Sequence, residues 1–295
     1  MQRRKFIKNA SLTVFSISAF GNLNWNGKVF EADTPTTTDI LGPFYRPGAP
    51  MRTNLRLSGT HGTPIILKGR ILKNDGTTPI GNALVEIWHC NENEVYDNTS
   101  DDYHYRGAQK TNAEGKYAFK SILPVPYKAN ANDESSWRPA HIHMRVSVPH
   151  QQDLITQIYF KDGKYVDTDR WSSSPDAVNR ILKISKTKSG ENEIIFNVSL
   201  SKEIPLDKKV YDKITGLYDG GDNNHYEFVK SDDLLFLKHN GQLRAAMKYK
   251  GNNTFVGGPE YPNASFELLQ DGNVNVVINW TADRTSKGKK FIKYN

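Results

Sequence analysis

Residues 141–148 read HIHMRVSV, a run in which apolar side chains alternate with polar or titratable ones. Alternation with a period of two predicts a β-strand whose successive side chains point to opposite faces of a sheet. His141 and His143 would then share one face, with Ile142 on the other. Two imidazoles that converge on one spot form a candidate metal site, although such histidines can also be solvated or hydrogen-bonded.

Similar short runs occur at regular spacing on both sides of this strand. Turn signals such as Asn74-Asp75-Gly76 and Ala113-Glu114-Gly115 separate several of them, and this pattern predicts an all-β sandwich. A cap, a first-turn proline and an early acid at Ser174-Pro175-Asp176 predict one short helix. The runs are PIILKGRIL (64–72), NALVEIWHC (82–90), KYAFKSIL (116–123), LITQIYF (154–160) and NEIIFNVSL (192–200).

The chain divides into three parts by composition. Residues 1–30 form a leader, residues 31–200 hold the sandwich runs, and residues 201–295 form a small β-rich module. This module begins with a charged connector and continues as an antiparallel meander with hairpin turns at Asn240-Gly241 and Asp271-Gly272. It contains no cluster of His, Cys and carboxylates, so we assign it no chemistry.

The first twenty-one residues, MQRRKFIKNASLTVFSISAFG, carry four cations and no acid. A basic start, a short apolar stretch and small residues behind it are typical of a secretory signal. The hexapeptide RRKFIK (3–8) also resembles a twin-arginine leader, which implies export of an already folded protein. We therefore predict an exported, periplasmic protein, with a basic amphipathic helix as the alternative for this segment.

The composition excludes several classes of protein. Hydrophobic residues make up 37% and charged residues 24%, which is typical of a soluble β-rich protein rather than a disordered one. No stretch approaches the roughly 20 apolar residues of a membrane span. The net charge of +7 owes four charges to the leader, and the remainder is too dispersed to indicate nucleic-acid binding. Cys90, the single cysteine, cannot form an internal disulfide.

The residues leave the rest of a metal site open. Glu86, Asp133 and Glu134 are available for a site with two histidines and one carboxylate. There is no cysteine pair for a structural zinc site. Tyrosine is abundant, with 14 in the chain, and an anionic phenolate oxygen is a ligand suited to ferric iron.

Four segments extend this interpretation through a family resemblance. LGPFYRPGAP (41–50), GRILKNDGTTPIGNALVEIWHCNENEVY (69–96), YRGAQKTNAEGKYAFKSILPVPY (105–127) and WRPAHIHMRV (137–146) resemble the intradiol ring-cleaving dioxygenases, from about Leu41 to Leu200. The resemblance implies a mononuclear non-haem Fe(III) that is bound by two tyrosines and two histidines. The matching ligands here are Tyr96, Tyr127, His141 and His143. Family members usually have a glycine shortly before the first ligand tyrosine, whereas Asn93-Glu94-Val95 precede Tyr96, and Tyr103 and Tyr105 are nearby alternatives.

The same resemblance implies roles for other residues. Arg138 would stabilise negative charge on the reacting ring, unless it only pairs with Asp133 or Glu134. Gln157 would orient a ligand or water from behind the metal site. Residues 31–51 form an arm rich in Pro, Thr and Gly, which covers a sheet edge or walls the substrate pocket with Gly42, Pro43 and Tyr45.

The implied reaction is Fe(III)-dependent cleavage of a small aromatic diol by O₂, which gives a muconate-type dicarboxylic acid. Tyr127 would leave the iron with one of the two diol protons. Because one chain carries the ligands and Arg138 together, we predict a self-sufficient active chain that can form a homo-oligomer.

Two other functions compete with this interpretation. GRILKNDGTTPIGNALVEIW (69–88) also resembles transthyretin-like binding modules, which share the strand and turn pattern but have no reason to carry the HxH motif or the paired tyrosines. A zinc or copper hydrolase that uses the two histidines and an acid is the third candidate.

Overall fold

The computed structural model of the protein describes residues 23–25, 30–32, 35–59, 61–149, 151–202, 208–231, 234–258 and 261–291. Most of the predicted leader, residues 1–30, lies outside these ranges, and only a hairpin of β1 (Leu23–Trp25) and β2 (Phe30–Ala32) is described near its end. Within the described ranges, none of the helices has the length and apolar character needed to cross a bilayer.

In the part of the chain up to residue 200, strands are the main regular elements, as predicted. Two short 3-10 helices, Glu134–Ser136 and Pro175–Arg180, interrupt them. The strands are β3 (Pro64–Leu72), β4 (Leu84–Trp88), β5 (Arg106–Lys110), β6 (Lys116–Ile122), β7 (Tyr127–Lys128), β8 (Trp137–Arg138), β9 (His141–Ser147), β10 (Leu154–Phe160), β11 (Ile181–Leu182), β12 (Ser185–Lys186), β13 (Asn192–Ile195) and β14 (Val198–Ser199).

Two sheets enclose the core of this domain. One sheet has the strand order β11-β10-β9-β4-β5, and the other has the order β12-β13-β3-β14 with β6 beside β3. Each fully buried aliphatic side chain contributes about 1.5–3 kcal/mol to stability. The core residues include Ile65, Leu67, Ile71, Val85, Ile87, Phe119, Ile142, Met144, Val146, Ile158 and Ile194. The predicted β-sandwich is therefore confirmed.

The outer face of the first sheet carries the polar side chains of the motif. His141 and His143 face away from the core, whereas Ile142 between them enters it. Strand pairing places Trp88 of β4 on one side of His143 and Gln157 of β10 on the other. The period of two thus separates core residues from site residues along a single strand.

The described part of the arm, residues 35–51, runs across this outer face. The backbone N–H of Asp39 donates to the carbonyl of Ile155 at 2.9 Å. The Gln157 side chain donates through Nε2 to the carbonyl of Ile40 at 2.8 Å. The arm therefore covers the face that carries the histidines, and its role is not limited to protecting a sheet edge.

Residues 208–290 form the second domain. Helix α1 (Lys208–Ile214) is followed by strands that close into a barrel, because the first strand pairs with the last through Tyr218 and Lys290. The strands are β15 (Gly216–Asp219), β16 (His225–Ser231), β17 (Leu234–His239), β18 (Gln242–Gly251), β19 (Thr254–Val256), β20 (Asn263–Leu268), β21 (Val274–Asn279) and β22 (Thr285–Lys290).

Some elements differ from the sequence-based expectation. The hairpin at Asn240-Gly241 is present, with His239 paired to Gln242 across two residues of positive φ. Strand β5 was missed because RGAQK has no apolar alternation. The short helix at Ser174 is present as a 3-10 helix, with the Ser174 side chain accepting from the backbone of Asp176. The predicted antiparallel meander is present, and its end strands also pair to close a barrel, which the hairpin signals alone could not reveal.

Candidate metal centre

The two histidines of β9 meet through their Nε2 atoms, which are 3.1 Å apart. Each residue is only 1% exposed. The Nδ1 of His141 lies 2.7 Å from the carbonyl of Pro139, which can only accept, so Nδ1 carries the proton and Nε2 presents a lone pair. Two ligands about 2.1 Å from one first-row metal ion and a right angle apart are separated by about 3 Å, so this pair fits a shared ion.

Burial keeps both imidazoles neutral. Burial, followed by the positive charge of Arg138, holds the pKa of His141 well below its ordinary value. Burial, followed by the neighbouring His141, does the same to the pKa of His143. The His143 Nδ1 is buried without a hydrogen-bond partner among the described residues. Neutral imidazole is the form that binds metals, so the pair is ready to bind an ion without losing a proton to solvent.

Two buried tyrosines face the same point. The Tyr96 hydroxyl lies 3.3 Å from the Nε2 of His141. The Tyr127 ring lies 5.6 Å from the His141 ring and 5.5 Å from the Tyr96 ring, centroid to centroid. Burial raises the pKa of Tyr96 well above its usual value and also raises that of Tyr127. Both side chains therefore remain protonated phenols until a nearby cation stabilises the phenolate form.

The loop before Tyr96 explains its departure from the family pattern. Glu94 has a φ of +67°, in the left-handed region where a glycine would be unstrained. The Asn91 side chain accepts backbone hydrogen bonds from Asn93 and Val95 at 2.9 Å each and holds this turn. The turn directs Tyr96 at His141 although no glycine is present.

The alternative tyrosines are bonded elsewhere. The Tyr103 hydroxyl donates to the carbonyl of Pro47 at 3.2 Å, and the Tyr105 hydroxyl lies 3.4 Å from the carboxylate of Glu92. Tyr96 is the one of the three that contacts a site histidine.

The candidate carboxylates also lie elsewhere. Glu86 is 3.7 Å from Arg145, and burial raises the pKa of Glu86 to about 7. Asp133 caps a 3-10 helix, and Glu134 pairs with Lys128. Over the described ranges, no group of three or more His, Cys, Asp and Glu is placed to hold a metal ion. The donors that converge are therefore two imidazoles and two phenols.

Arg138 lies beside Tyr127, its partner in the pairing of β7 with β8. Its Nη2 donates to Gln157 Oε1 at 3.0 Å, and its Nε is 2.7 Å from Asp169 Oδ1. Burial would lower the pKa of Arg138, but Tyr159 and Asp169, together with Tyr127 and Asp39, outweigh burial and raise it. The guanidinium is thus permanently charged. The alternative pairing of Arg138 with Asp133 or Glu134 was wrong, because the acid next to it in space comes from a distant loop.

A buried network behind Arg138 was not visible in the sequence. The Tyr159 hydroxyl lies 2.8 Å from Asp39 Oδ2 and 3.0 Å from Gln157 Oε1. Arg180, with a fully buried side chain, forms an ion pair with Asp39. Gln157 donates to the arm and accepts from Arg138, so its amide orientation is defined. Isolated tyrosine, acid and arginine residues gave no pattern that could predict this network.

The arm supplies further contacts to the site. The Phe44 ring stacks on Tyr96 at 4.2 Å, a contact that was not predicted. Tyr45 lies behind the site instead, because its ring packs against Trp88 at 5.1 Å and Trp88 stacks on His143 at 4.8 Å. Pro43 lies between Gly42, which packs on His143, and Phe44, which stacks on Tyr96.

Gly42 places the arm backbone against His143. Its φ is +74°, and an added Cβ would lie 3.0 Å from His143 Cε1. Gly42→Ala is expected to cost about 1–3 kcal/mol from backbone strain and to displace His143, with loss of bound metal. Gly59→Ala is the matched control, since Gly59 has a φ of +79° with nothing within 4 Å of an added Cβ. Urea unfolding and metal analysis of both variants check this, and equal metal binding would contradict it.

Known proteins are similar to this chain over the sandwich domain. The sequence profile of a family described as Dioxygenase matches residues 40–202. Catechol 1,2-dioxygenase 2 of Acinetobacter lwoffii is 37% identical over 155 residues, which cover 47% of this chain and 55% of that protein. Chlorocatechol 1,2-dioxygenase of Rhodococcus opacus is 33% identical over 181 residues, with coverages of 55% and 66%. The chain thus spans less than two thirds of the length of these relatives.

A solved structure of a dioxygenase also matches this chain. The crystal structure of 3-chlorocatechol 1,2-dioxygenase from Rhodococcus opacus 1CP matches with a TM-score of 0.51 and 25% identity, over 57% of this chain and 73% of that one. The profile match covers more than half of the chain and includes every predicted ligand. These matches show that the chain belongs to the intradiol dioxygenase family.

Proposed function

We propose that the protein is a mononuclear non-haem Fe(III) dioxygenase that cleaves a catechol-type diol between its two hydroxylated carbons. Both atoms of O₂ enter the product, a muconate-type dicarboxylic acid. One observation carries this proposal: two buried phenols and two neutral imidazoles converge beside a permanently charged guanidinium. The names of the relatives support a catechol as the substrate class.

The donor set suits ferric iron. Tyr96, Tyr127, His141 and His143 would hold the ion, and two phenolates offset two of its three positive charges. When bound, Fe(III) supplies the Lewis-acid and redox chemistry that lets a bound diol react with O₂.

Tyr127 is suited to take a proton from the incoming diol. Burial raises the pKa of its phenol, so that its Oη favours the protonated form once it no longer faces a cation. The Tyr127 Oη can therefore accept one of the two diol protons without a separate carboxylate or histidine base.

Arg138 stabilises negative charge that develops on the ring and its oxygens. Gln157 and Asp169 fix the guanidinium before the substrate arrives, so little reorganisation is needed during the reaction. Phe44 and Trp88 surround the ligands with apolar surface, which excludes water and strengthens these electrostatic contacts.

The rival functions fit this site less well. A transthyretin-like module has no use for four converging donors. A zinc hydrolase with two histidines and an acid has no acid near the pair, as far as the described residues show.

A visible spectrum with metal analysis tests the proposal. Phenolate coordinated to Fe(III) absorbs visible light, so the iron-loaded protein should be coloured, and adding catechol without O₂ should shift the band to longer wavelength. Admitting O₂ should then yield the ring-opened diacid. The zinc-loaded protein is the control and should stay colourless and inactive. A colourless protein after loading with ferric iron would contradict the proposal.

We also propose export through the twin-arginine leader at residues 3–8, on the sequence pattern alone. Replacing Arg3 and Arg4 together with lysine should retain the protein in the cytoplasm, as cell fractionation would show. Unchanged export of this variant would contradict the assignment.

A further inference from the structure

Strand β17 of the barrel is apolar on both faces. Leu235 and Leu237 point into the barrel core, while Leu234 and Phe236 point outward. An outward apolar pair on a solitary barrel would face water at a cost, so this face is expected to be covered. The dioxygenase domain covers it: Leu234 shares a buried cluster with Leu41, Trp88 and the ligand tyrosines.

Two contacts between the barrel and the arm flank the arm residues that reach the metal centre. The ring of Phe236 lies 6.3 Å from that of Tyr45, with the two planes 20° apart. At the other end, Gly258 packs so closely on Ile40 that an added Cβ would lie 3.2 Å from its Cγ2. Gly42 and Phe44 lie between these two contacts along the chain.

The arm in turn touches the ligands. Gly42 backs the ring of His143 and Phe44 stacks on Tyr96. From Phe236 a continuous series of rings runs through Tyr45 and Trp88 to His143. Because neighbouring rings restrict one another's positions, we expect a displacement of Phe236 to reach the ligand.

We propose that the C-terminal barrel holds the arm against the metal centre, and that Phe236 is a positioning residue for His143 and Tyr96. This inference rests on the proposed function of the site. It gives the barrel a role in the reaction although the barrel supplies no group that touches the metal or the substrate.

Polar contacts keep the barrel attached independently of Phe236. The backbone N–H of Tyr249 donates to Gln152 Oε1 at 2.7 Å, and the Lys248 ammonium donates to the Ser201 hydroxyl at 2.6 Å. Removing the Phe236 ring should therefore loosen the arm without detaching the barrel.

Phe236→Ala tests this role, with Phe291→Ala as the matched control because Phe291 is 46% exposed on the barrel domain. We expect kcat/KM for catechol to fall about tenfold and the visible band to shift in Phe236→Ala, since small misplacements of reacting groups are costly. Phe236→Tyr should restore both, and Phe291→Ala should change neither. In the double variant Tyr45→Leu/Phe236→Ala, the fall in kcat/KM should be smaller than the product of the two single-variant falls. Both side chains act through one contact, so their effects are not independent.

Chymotrypsin cleavage of the iron-free protein after Tyr45 gives a second measure that needs no activity. It should accelerate in Phe236→Ala and not in Phe291→Ala. The inference would be overturned if Phe236→Ala kept the wild-type cleavage rate, visible spectrum and kcat/KM. It would also be overturned if Phe291→Ala lost as much kcat/KM as Phe236→Ala. If wild-type protein neither holds iron nor cleaves diols, the proposed function fails, while the chymotrypsin assay still decides whether the barrel holds the arm. Should Phe236→Ala not fold, Phe236→Leu carries the same test.

Discussion

Replacing His143 with alanine is expected to abolish the visible absorption and diol cleavage together. The imidazole is buried, neutral and 3.1 Å from its partner nitrogen on His141, so its loss removes one of the converging donors. Even residues that only orient metal ligands contribute about 10–100-fold to metal affinity, so losing a ligand should lower affinity by at least about 100-fold. Iron analysis after gel filtration, the visible spectrum and O₂ consumption with catechol measure this result.

The control for this variant is His61→Ala, because His61 is exposed just before β3. Its replacement should leave iron content and activity within about twofold of wild type, as surface substitutions usually do. A coloured and fully active His143→Ala protein would refute the site.

Arg138→Lys is expected to retain iron and colour but to lose roughly 10²–10³-fold in kcat, the usual effect of removing one preorganised donor from a charge-stabilising site. Lysine keeps the positive charge but lacks the planar fork that reaches Gln157 and Asp169 together. The ammonium would therefore not be held where charge develops. Single-turnover kinetics with preloaded catechol, started with O₂, separates this loss from weaker binding.

Arg170→Lys is the matched control for the same chemical change. Arg170 is exposed on the loop that carries Asp169 and packs over Trp171. The Arg170→Lys protein should keep the wild-type kcat. If Arg138→Lys lost iron or kept full activity, Arg138 would not be the charge-stabilising group.

The sequence determined the features that depend on neighbours along the chain. Alternation in residues 141–148 was enough to place His141 and His143 on one face, because side chains in a strand alternate with a period of two. The strand runs and turns indicated the sandwich, and the motifs that contain Tyr96 and Tyr127 indicated the remaining donors. These predictions rest on local geometry and on the family resemblance.

Only the tertiary structure decided which distant groups meet. The partner of Arg138 is Asp169 rather than its sequence neighbours, and the ring on Tyr96 is Phe44 from the arm. The closure of the barrel through Tyr218 and Lys290, and the contact of Phe236 with Tyr45, likewise joined segments far apart in the chain. The physical reason is that local alternation fixes the face to which a side chain points, whereas its contacts across that face depend on how separate elements pack.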